Sequence, residues 1–433
     1  MASILSLPLH LIADILRLLD NIQELPPILL SHRIFYSALL DTPSLPVDII
    51  RSQIPDNLLP LTFTAFKSQK SVRETSSISV EEFLTHCYND SMRNVDGSQL
   101  HLTVGEAVEV VRVNDALSGL RDEFALCSLR KLHGVNQDTP IESDQGLSPG
   151  EYYRISRAFY RFQIHRNLFL DKEQEIDLFP SYDDEEEDSS SENELKKLFF
   201  DRHSPWVNEQ LACVYDFLET RLTGGKVDLL VNPSHTDFKG AILTCALNLV
   251  MLNILSATPA YRQVVVNGVQ WEDNLTEWLA EKTQSLEEQR CMSLGIPRLS
   301  QLLKASTYEE WQASLGEAIS PCQNMLEEDL EQFNRGRKPS EENEVWRAED
   351  IDRLAREVDA DDAFTDDQPR QTWMKVHYDH AHERYRLGEH AFAPMRFIYG
   401  LRSIGYVMWD AERMKNDACK VTLDKAYRGD AVF

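Results

Sequence analysis

Apolar residues recur at the three- and four-residue spacing of an α-helix along almost the whole chain. The first such stripe consists of Leu11, Ile12, Ile15, Leu16 and Leu19. Runs with the alternating pattern of a β-strand are scarce, and the best one, residues 262–269, stands between helical patterns without an evident pairing partner. The spacing therefore predicts an all-α fold, in which an N-terminal three-helix module is followed by a large irregular helical domain with two acidic linker insertions.

Prolines, glycines and polar residues mark the ends of the predicted helices. After Pro26 and Pro27, which suit the start of a helix but not its interior, the pattern predicts one helix over residues 28–40. Further helices are predicted over residues 80–88, 104–132, 149–170, 195–222, 238–255, 271–282, 308–326 and 371–404. A chain of 433 residues is long enough for two or three compact units of this kind.

Composition divides the chain into six segments. In order, these are a compact N-terminal module (1–55), the first part of a helical body (56–170), an acidic loop (171–194), the second part of the body (195–326), an acidic linker (327–370) and C-terminal helices that pack on the body (371–433). The formal net charge of −27 comes mostly from residues 171–194, with a net charge of −11, and residues 327–367, with −10. Because a chain of this charge is repelled by nucleic acid phosphates and anionic membranes, neither is an expected partner.

The two acidic segments differ in their apolar content. Residues 182–194 contain no hydrophobic residue beyond the first. They cannot bury enough surface to offset the entropy of the chain, so they are predicted to be disordered. The segment 327–370 contains Ile351, Leu354 and Val358 at helical spacing, and a short amphipathic helix is predicted inside it.

Two serines in the first acidic segment are phosphorylation candidates. Ser189 and Ser191 are each followed by a glutamate at the third position. This context is similar to the one that acidophilic protein kinases favour, and it is common in exposed linkers.

The seven cysteines are widely spaced, odd in number and without a CxxC pair. This pattern argues against a disulfide framework and a zinc knuckle, and it favours a reducing compartment. The apolar start of the chain lacks the basic region of a signal peptide. The longest uncharged run, residues 240–261, contains Asn248, Asn253 and Pro259, which favour a buried core helix over a membrane span. The expected location is therefore the cytoplasm, the nucleus or both, without secretion.

The N-terminal module is unusually apolar. Residues 1–50 contain at least a dozen leucine and isoleucine residues in three short predicted helices with few charges. This is more apolar surface than a unit of about 50 residues buries by itself. Either the remaining chain or a partner protein covers the surplus, and exposed apolar surface in a terminal module marks an interface. The sequence favours a partner protein, and the alternative is a helical scaffold whose N-terminal helices are core.

Leu7-Pro8, the apolar helix that follows, and a second stretch with Leu29 and Phe35 resemble a degenerate F-box over residues 5–54. The resemblance implies a three-helix module that exposes apolar side chains to the adaptor subunit of cullin-RING ubiquitin ligases. The adaptor-binding residues that it implies are Leu7, Pro8, Leu11, Ile12, Ile15, Leu16, Leu19, Leu29 and Phe35. On this interpretation the chain is a substrate receptor that recruits a target protein through its helical body, without catalysis or a cofactor of its own.

Two stretches of the body, residues 157–169 and 204–219, are similar to helical regions of fungal F-box-like proteins of unassigned function. This similarity implies no activity. The sequence also contains neither GxSxG nor GxGxxG, the motifs of a serine hydrolase and of a dinucleotide-binding loop.

Four of the twelve histidines lie between positions 377 and 390. Imidazole and carboxylate groups suit zinc or iron, so a metal-dependent enzyme that uses the cluster from Asp379 to His390 is the alternative function. On a helix His377 and His380 would share a face, but the other two histidines would not join them, and the HExxH spacing is absent. The pattern is more typical of a solvated, charged helix face, so no bound metal is predicted.

A basic stripe formed by Arg154, Arg157, Arg161 and His165 lies among aromatic residues. Arginines interleaved with aromatic rings suit single-stranded nucleic acid. The aromatic residues recur at core spacing, however, and the acidic segment 171–194 follows at once. The favoured interpretation is that the stripe neutralises carboxylates of this same chain and holds the acidic loop nearby by diffuse attraction.

Overall fold

The computed structural model describes the chain in separate ranges. These are residue 4 and residues 7–88, 102–135, 146–170, 189–231, 291–305, 310, 326, 329–330, 367–376 and 400–427. Every regular element within these ranges is helical, so the predicted all-α fold is confirmed. The strand candidate at residues 262–269 and the helices predicted over residues 238–255 and 271–282 lie outside the described residues.

Short helices form the N-terminal part of the chain, and longer helices form the middle. In chain order the α-helices are α1 (Leu9–Leu16), α2 (Leu25–Ser31), α3 (Arg33–Asp41), α4 (Leu45–Gln53), α5 (Leu59–Lys67), α6 (Lys70–Thr75), α7 (Val80–Glu82), α8 (Val104–His133), α9 (Pro149–Phe169), α10 (Ser189–Phe200), α11 (Pro205–Val231), α12 (Ile296–Lys304), α13 (Gln368–Met374), α14 (Ala411–Met414) and α15 (Asp417–Tyr427). A 3-10 helix, Ile22–Glu24, precedes α2, and a π-helical turn, Phe83–Cys87, continues α7.

The single helix predicted over residues 28–40 is wrong, because α2 and α3 are separate helices that meet at His32. The backbone of His32 is extended, and its Nδ1 accepts a hydrogen bond from the backbone N–H of Ile34 at 3.2 Å. The imidazole thus caps α3 in the way that a serine or asparagine usually does. Pro26 and Pro27 lie in the first turn of α2. Backbone N–H groups in the first turn have no acceptor within the helix, so the absence of an N–H in proline costs no hydrogen bond there.

Helix α8 runs for 30 residues and is capped at both ends. At its start, Thr103 and Glu106 form a capping box, in which each side chain accepts a hydrogen bond from the backbone N–H of the other residue. At its end, Gly134 has a φ of 64°, a left-handed conformation that glycine adopts without strain. The helix predicted over residues 104–132 is therefore confirmed to within one residue.

Helix α9 lies at the centre of the fold, and 17 of its 21 residues are buried. It packs against α5 and α8. The hydroxyl of Tyr160 accepts a hydrogen bond from Thr62 Oγ1 at 2.8 Å and donates one to Asn114 Oδ1 at 2.9 Å, so a single side chain links all three helices. Burial raises the pKa of the Tyr160 phenol above its ordinary value, so the hydroxyl stays protonated even at the alkaline pH at which an exposed tyrosine ionises.

Helix α10 begins at Ser189, inside the segment 182–194 that the sequence predicts to be disordered. The prediction is wrong from Ser189 onward, and residues 171–188 lie outside the described residues. Acidic residues near the start of a helix stabilise it, because the unpaired backbone N–H groups of the first turn carry partial positive charge. An acidic sequence is therefore compatible with a helix start. At the other end of α10, Phe199 and Phe200 are buried and anchor the helix.

The chain divides into two compact units. The first comprises residues 1–169, 185–217 and 326–433, and the second comprises residues 170–184 and 218–325. In the described part of the second unit, α12 buries Ile296, Leu299 and Leu302 on one face.

The helix predicted over residues 195–222 is in fact two helices, α10 and α11.

Candidate protein-binding surface

Helix α1 has one buried and one exposed apolar face. Ile12 and Leu16 are buried, on a helix that packs against α3. Leu11 and Ile15 are each 41% exposed, and Leu18, in the turn that follows the helix, is 80% exposed. The spacing of these three residues, i, i+4 and i+7, places them in one row.

The next two helices add exposed apolar side chains of their own. Leu30 on α2 is 88% exposed, and Tyr36 and Leu40, one turn apart on α3, are also exposed. Helix α3 packs against both α1 and α2. We call the six residues together the N-terminal apolar surface: Leu11, Ile15, Leu18, Leu30, Tyr36 and Leu40. Exposed apolar side chains on neighbouring helices are typical of surfaces that bind other proteins when they form a continuous patch.

The nine residues predicted to bind an adaptor fall into three settings. Pro8, Leu11 and Ile15 are exposed; Leu7, Leu19, Leu29 and Phe35 are partly buried; Ile12 and Leu16 belong to the core. The prediction is wrong for Ile12 and Leu16, because a partner cannot reach side chains that the fold already covers. It also misses Leu18, although the position three residues after Ile15 continues the same row on a helix.

The inner side of the N-terminal helices belongs to the protein core. Ile22 and Leu25 are fully buried, as are Leu45, Ile49 and Ile50 on and around α4. The 3-10 helix and α4 both pack against α8. The alternative prediction, that the N-terminal helices are part of the core, is therefore correct for their inner side. The N-terminal apolar surface lies on their outer side and is exposed.

Arg17, directly after α1, connects this helix to α4. Its Nε donates a hydrogen bond to Asp48 Oδ2 at 3.0 Å, and its Nη1 donates to Asp14 at 2.5 Å. The hydrogen bond with Asp48 raises the pKa of Arg17. Ser44 Oγ also donates to Asp48, at 3.1 Å. Partly exposed ion pairs contribute only about 0 to 1 kcal/mol each, so their main effect is to hold α1 in a fixed orientation.

The basic stripe is buried, so the predicted diffuse attraction to the acidic loop is wrong. Its members are Arg154, Arg157, Arg161 and His165. Arg157 Nη2 donates to Gln210 Oε1 at 2.9 Å, and Arg161 donates to the carbonyl of Val207 at 2.9 Å and to Asn208 Oδ1 at 2.7 Å. A buried guanidinium is costly unless it is hydrogen-bonded, which explains why Arg157 and Arg161 each bind specific groups on α11.

At the start of α9, Glu151 and Arg154 each form an ion pair with a residue of the range 400–427. Arg413 donates to Glu151 from Nε at 2.7 Å and from Nη2 at 2.6 Å, and the backbone N–H of Asp410 donates to Glu151 at 3.1 Å. Arg154 pairs with the carboxylate of Asp410. Arg154 thus neutralises a carboxylate of the same chain, as the sequence predicts for the basic stripe. This carboxylate, Asp410, lies outside both acidic segments.

A second buried ion pair joins residues 400–427 to α11. Arg402 donates to the two oxygens of Glu209 at 2.7 and 3.3 Å, and its Nη1 lies 3.5 Å from Asp216. Burial, together with the charge of Glu209, raises the pKa of the nearby Cys213 thiol well above its ordinary value. Cys213 is therefore protonated at neutral pH and is a poor nucleophile.

Several features singled out in the sequence lie outside the described residues. They are the uncharged run 240–261, the amphipathic pattern around Ile351 and the histidines between positions 377 and 390. Where the structure does describe the chain, no group of three or more His, Cys, Asp or Glu side chains is placed to hold a metal ion. No helix in those ranges has the length and apolar character needed to cross a membrane.

No family model, curated protein or solved structure matches the chain.

Proposed function

We propose that the chain is a substrate receptor of a cullin-RING ubiquitin ligase, and that its N-terminal apolar surface binds the adaptor subunit of that ligase. The observation that carries the proposal is the exposure of Leu18, in the turn after α1, and of Leu30 on α2, in a module whose opposite side is core. Burial of apolar surface contributes about 25 cal/mol per Å², so covering this surface with a partner is favourable. The resemblance of residues 5–54 to an F-box supports the choice of partner.

The anchoring of the surface also supports the proposal. Packing of α4 on α8, together with the bond from Arg17 to Asp48, holds the short helices against the body. A receptor that presents a target to a ligase benefits from such a rigid connection, because a surface that is already ordered loses little entropy on binding. The helical body would then supply the target-binding part.

Calorimetric titration of the purified chain with the purified adaptor subunit tests the proposal. We expect Leu11→Glu and Ile15→Glu to weaken binding, since each buried apolar contact at the centre of an interface contributes about 2 kcal/mol or more, which is about 30-fold in affinity. Leu126→Glu is the matched control, because Leu126 lies on α8, outside the N-terminal module, and is 40% exposed. It should leave the affinity unchanged.

Melting curves of the three variants should overlap with that of the wild type, because all three side chains are partly exposed. Binding that survives both substitutions in the N-terminal module would refute the surface as the docking site. A wild-type chain that shows no binding to the adaptor at micromolar concentrations would refute the proposed function itself.

A further inference from the structure

The carboxylate of Asp329 is held between two side chains of the helical body. Its Oδ2 lies 3.0 Å from His165 Nε2, and its Oδ1 lies 3.0 Å from Lys196 Nζ. His165 belongs to α9 and Lys196 to α10, whereas Asp329 stands near the start of the acidic segment 327–370. One carboxylate thus attaches that segment to both helices. We call these three residues the Asp329 clasp.

The surroundings of the clasp exclude water. The side chains of His165 and Asp329 are almost completely buried. The imidazole ring lies 4.9 Å from the ring of Phe169, 5.6 Å from that of Phe199 and 6.0 Å from that of Phe200, measured between ring centroids. In such an apolar pocket an unmatched charge is far more costly than at the surface.

At neutral pH the clasp has no net charge. A carboxylate only accepts hydrogen bonds, so the neutral ring of His165 carries its proton on Nε2 and donates it to Asp329. The negative charge of Asp329 is already matched by Lys196. A second proton on His165 would give these three side chains a net positive charge in an apolar pocket, close to Arg161, whose guanidinium carbon lies 5.2 Å from the centroid of the Phe199 ring.

Burial lowers the pKa of His165, and the hydrogen bond and charge of Asp329 oppose this only in part. The charges of Lys196 on α10 and Arg161 on α9 also act on the ring, and both lower the pKa of His165 further. If the clasp opened, the ring would meet water and regain its ordinary pKa of about 6.5. The open state thus binds the second proton more readily, so a pH below about 6.5 favours opening and neutral pH favours closure.

We propose that the Asp329 clasp is an acid-sensitive switch, closed at neutral pH, that releases the start of the acidic segment from the helical body on acidification. Leu326 and Leu330, on either side of Asp329, are buried as well. Opening of the clasp would expose both of them. The proposal concerns the attachment of this segment alone and does not depend on ligase binding.

Hydrogen exchange of the full chain, followed by mass spectrometry at pH 7.5 and 5.5 and corrected for the intrinsic pH dependence of exchange, tests the switch. We expect protection of residues 326–330 to fall by about tenfold for each pH unit below 6.5, because one proton is taken up on opening. Residues 326–330 should be less protected than α8 at both pH values, because they open without unfolding of the helical body. Equal protection of residues 326–330 at both pH values, or protection as high as that of α8, would overturn the proposal.

Two variants identify the titrating group. His165→Gln keeps a hydrogen-bond donor but cannot take up a proton, so exchange at residues 326–330 should no longer depend on pH. His203→Gln is the matched control, since His203 is a second buried histidine, hydrogen-bonded to Tyr88 at 2.9 Å, and should keep the pH dependence.

Lys196→Met provides an independent test in case His165→Gln does not fold. With Lys196 absent, Asp329 would match the charge of a protonated His165, so opening should shift to lower pH. Two results contradict the assignment of His165 as the titrating group. One is exchange of residues 326–330 that still depends on pH in His165→Gln, and the other is opening at the wild-type pH in Lys196→Met.

Discussion

Arg413 and Glu151 form a two-pronged ion pair, with nitrogen–oxygen distances of 2.6 and 2.7 Å, across 262 positions of the chain. Glu151 is almost completely buried at the first turn of α9. The pair therefore couples the central helix to residues that follow it by more than half the length of the chain.

Loss of this pair should destabilise the fold strongly. We expect Arg413→Leu to lower the free energy of unfolding by about 3 to 5 kcal/mol, because it leaves the Glu151 carboxylate buried without its partner. Urea denaturation followed by circular dichroism measures the change. Lys415→Ala is the control, since Lys415 pairs with Glu412 at an exposed position, and its denaturation midpoint should match the wild type. The prediction is refuted if the two variants behave alike.

Removal of the hydroxyl of Tyr160 should weaken the contacts among α5, α8 and α9. Tyr160→Phe leaves the side-chain oxygen of Asn114 without its buried hydrogen-bond donor, which costs about 1 to 3 kcal/mol, whereas Thr62 keeps its bond to the carbonyl of Leu58. Tyr36→Phe removes a hydroxyl from an exposed ring and should have no effect. The free energies of unfolding of both variants, compared with the wild type, check the prediction, and an unchanged value for Tyr160→Phe would contradict it.

The stability of the fold should depend on His133 at mildly acidic pH. Burial, and then the charge of Arg413, lowers the pKa of His133 in the folded chain. Because the unfolded chain then binds a proton more readily, the contribution of His133 is complete above pH about 6.5 and is lost as the pH falls below that value. His133→Gln should therefore lose less stability than the wild type between pH 7.5 and 5.5.

The His133 effect should be small, because the ring is only partly buried and solvent screens it. His10→Gln, which changes an exposed histidine in the first turn of α1, is the control and should follow the wild-type pH dependence. An identical pH dependence in wild type and His133→Gln would rule out this role.

Ser189 and Ser191, but not Ser190, should be substrates of an acidophilic protein kinase. The first two have glutamate at the third following position, whereas Ser190 has Asn193 there. All three lie in the first turn of α10, where a phosphate group interacts favourably with the helix dipole. Mass spectrometry after treatment with the kinase locates the phosphates, and phosphorylation of Ser190 to the same extent would show that the glutamates do not direct it.

Local signals in the sequence predict much of this fold. Thr103 and Gly134 delimit α8, because a threonine cap and a glycine after the last turn act through neighbouring backbone groups. The break at His32 escapes such prediction, since histidine is not a usual capping residue.

The candidate sites were less predictable, because they depend on distant contacts. The burial of Arg154 results from a pair with Asp410, 256 positions away, which no local pattern reveals. The exposed row of α1 follows from helical spacing once Ile12 is assigned to the core. Which face of the helix turns inward is decided by its packing on α3.

The distance in sequence between α9 and its ion-pair partners also has a consequence during synthesis. Glu151 and Arg154 emerge from the ribosome 256 to 262 positions ahead of Asp410 and Arg413. At about 5 to 20 residues per second, this is an interval of roughly 10 to 50 s. During that time the nascent chain holds a carboxylate and a guanidinium that its finished form keeps from water. Helix α9 therefore reaches its native surroundings only late in translation. Until then its exposed surface is a site that a chaperone could cover.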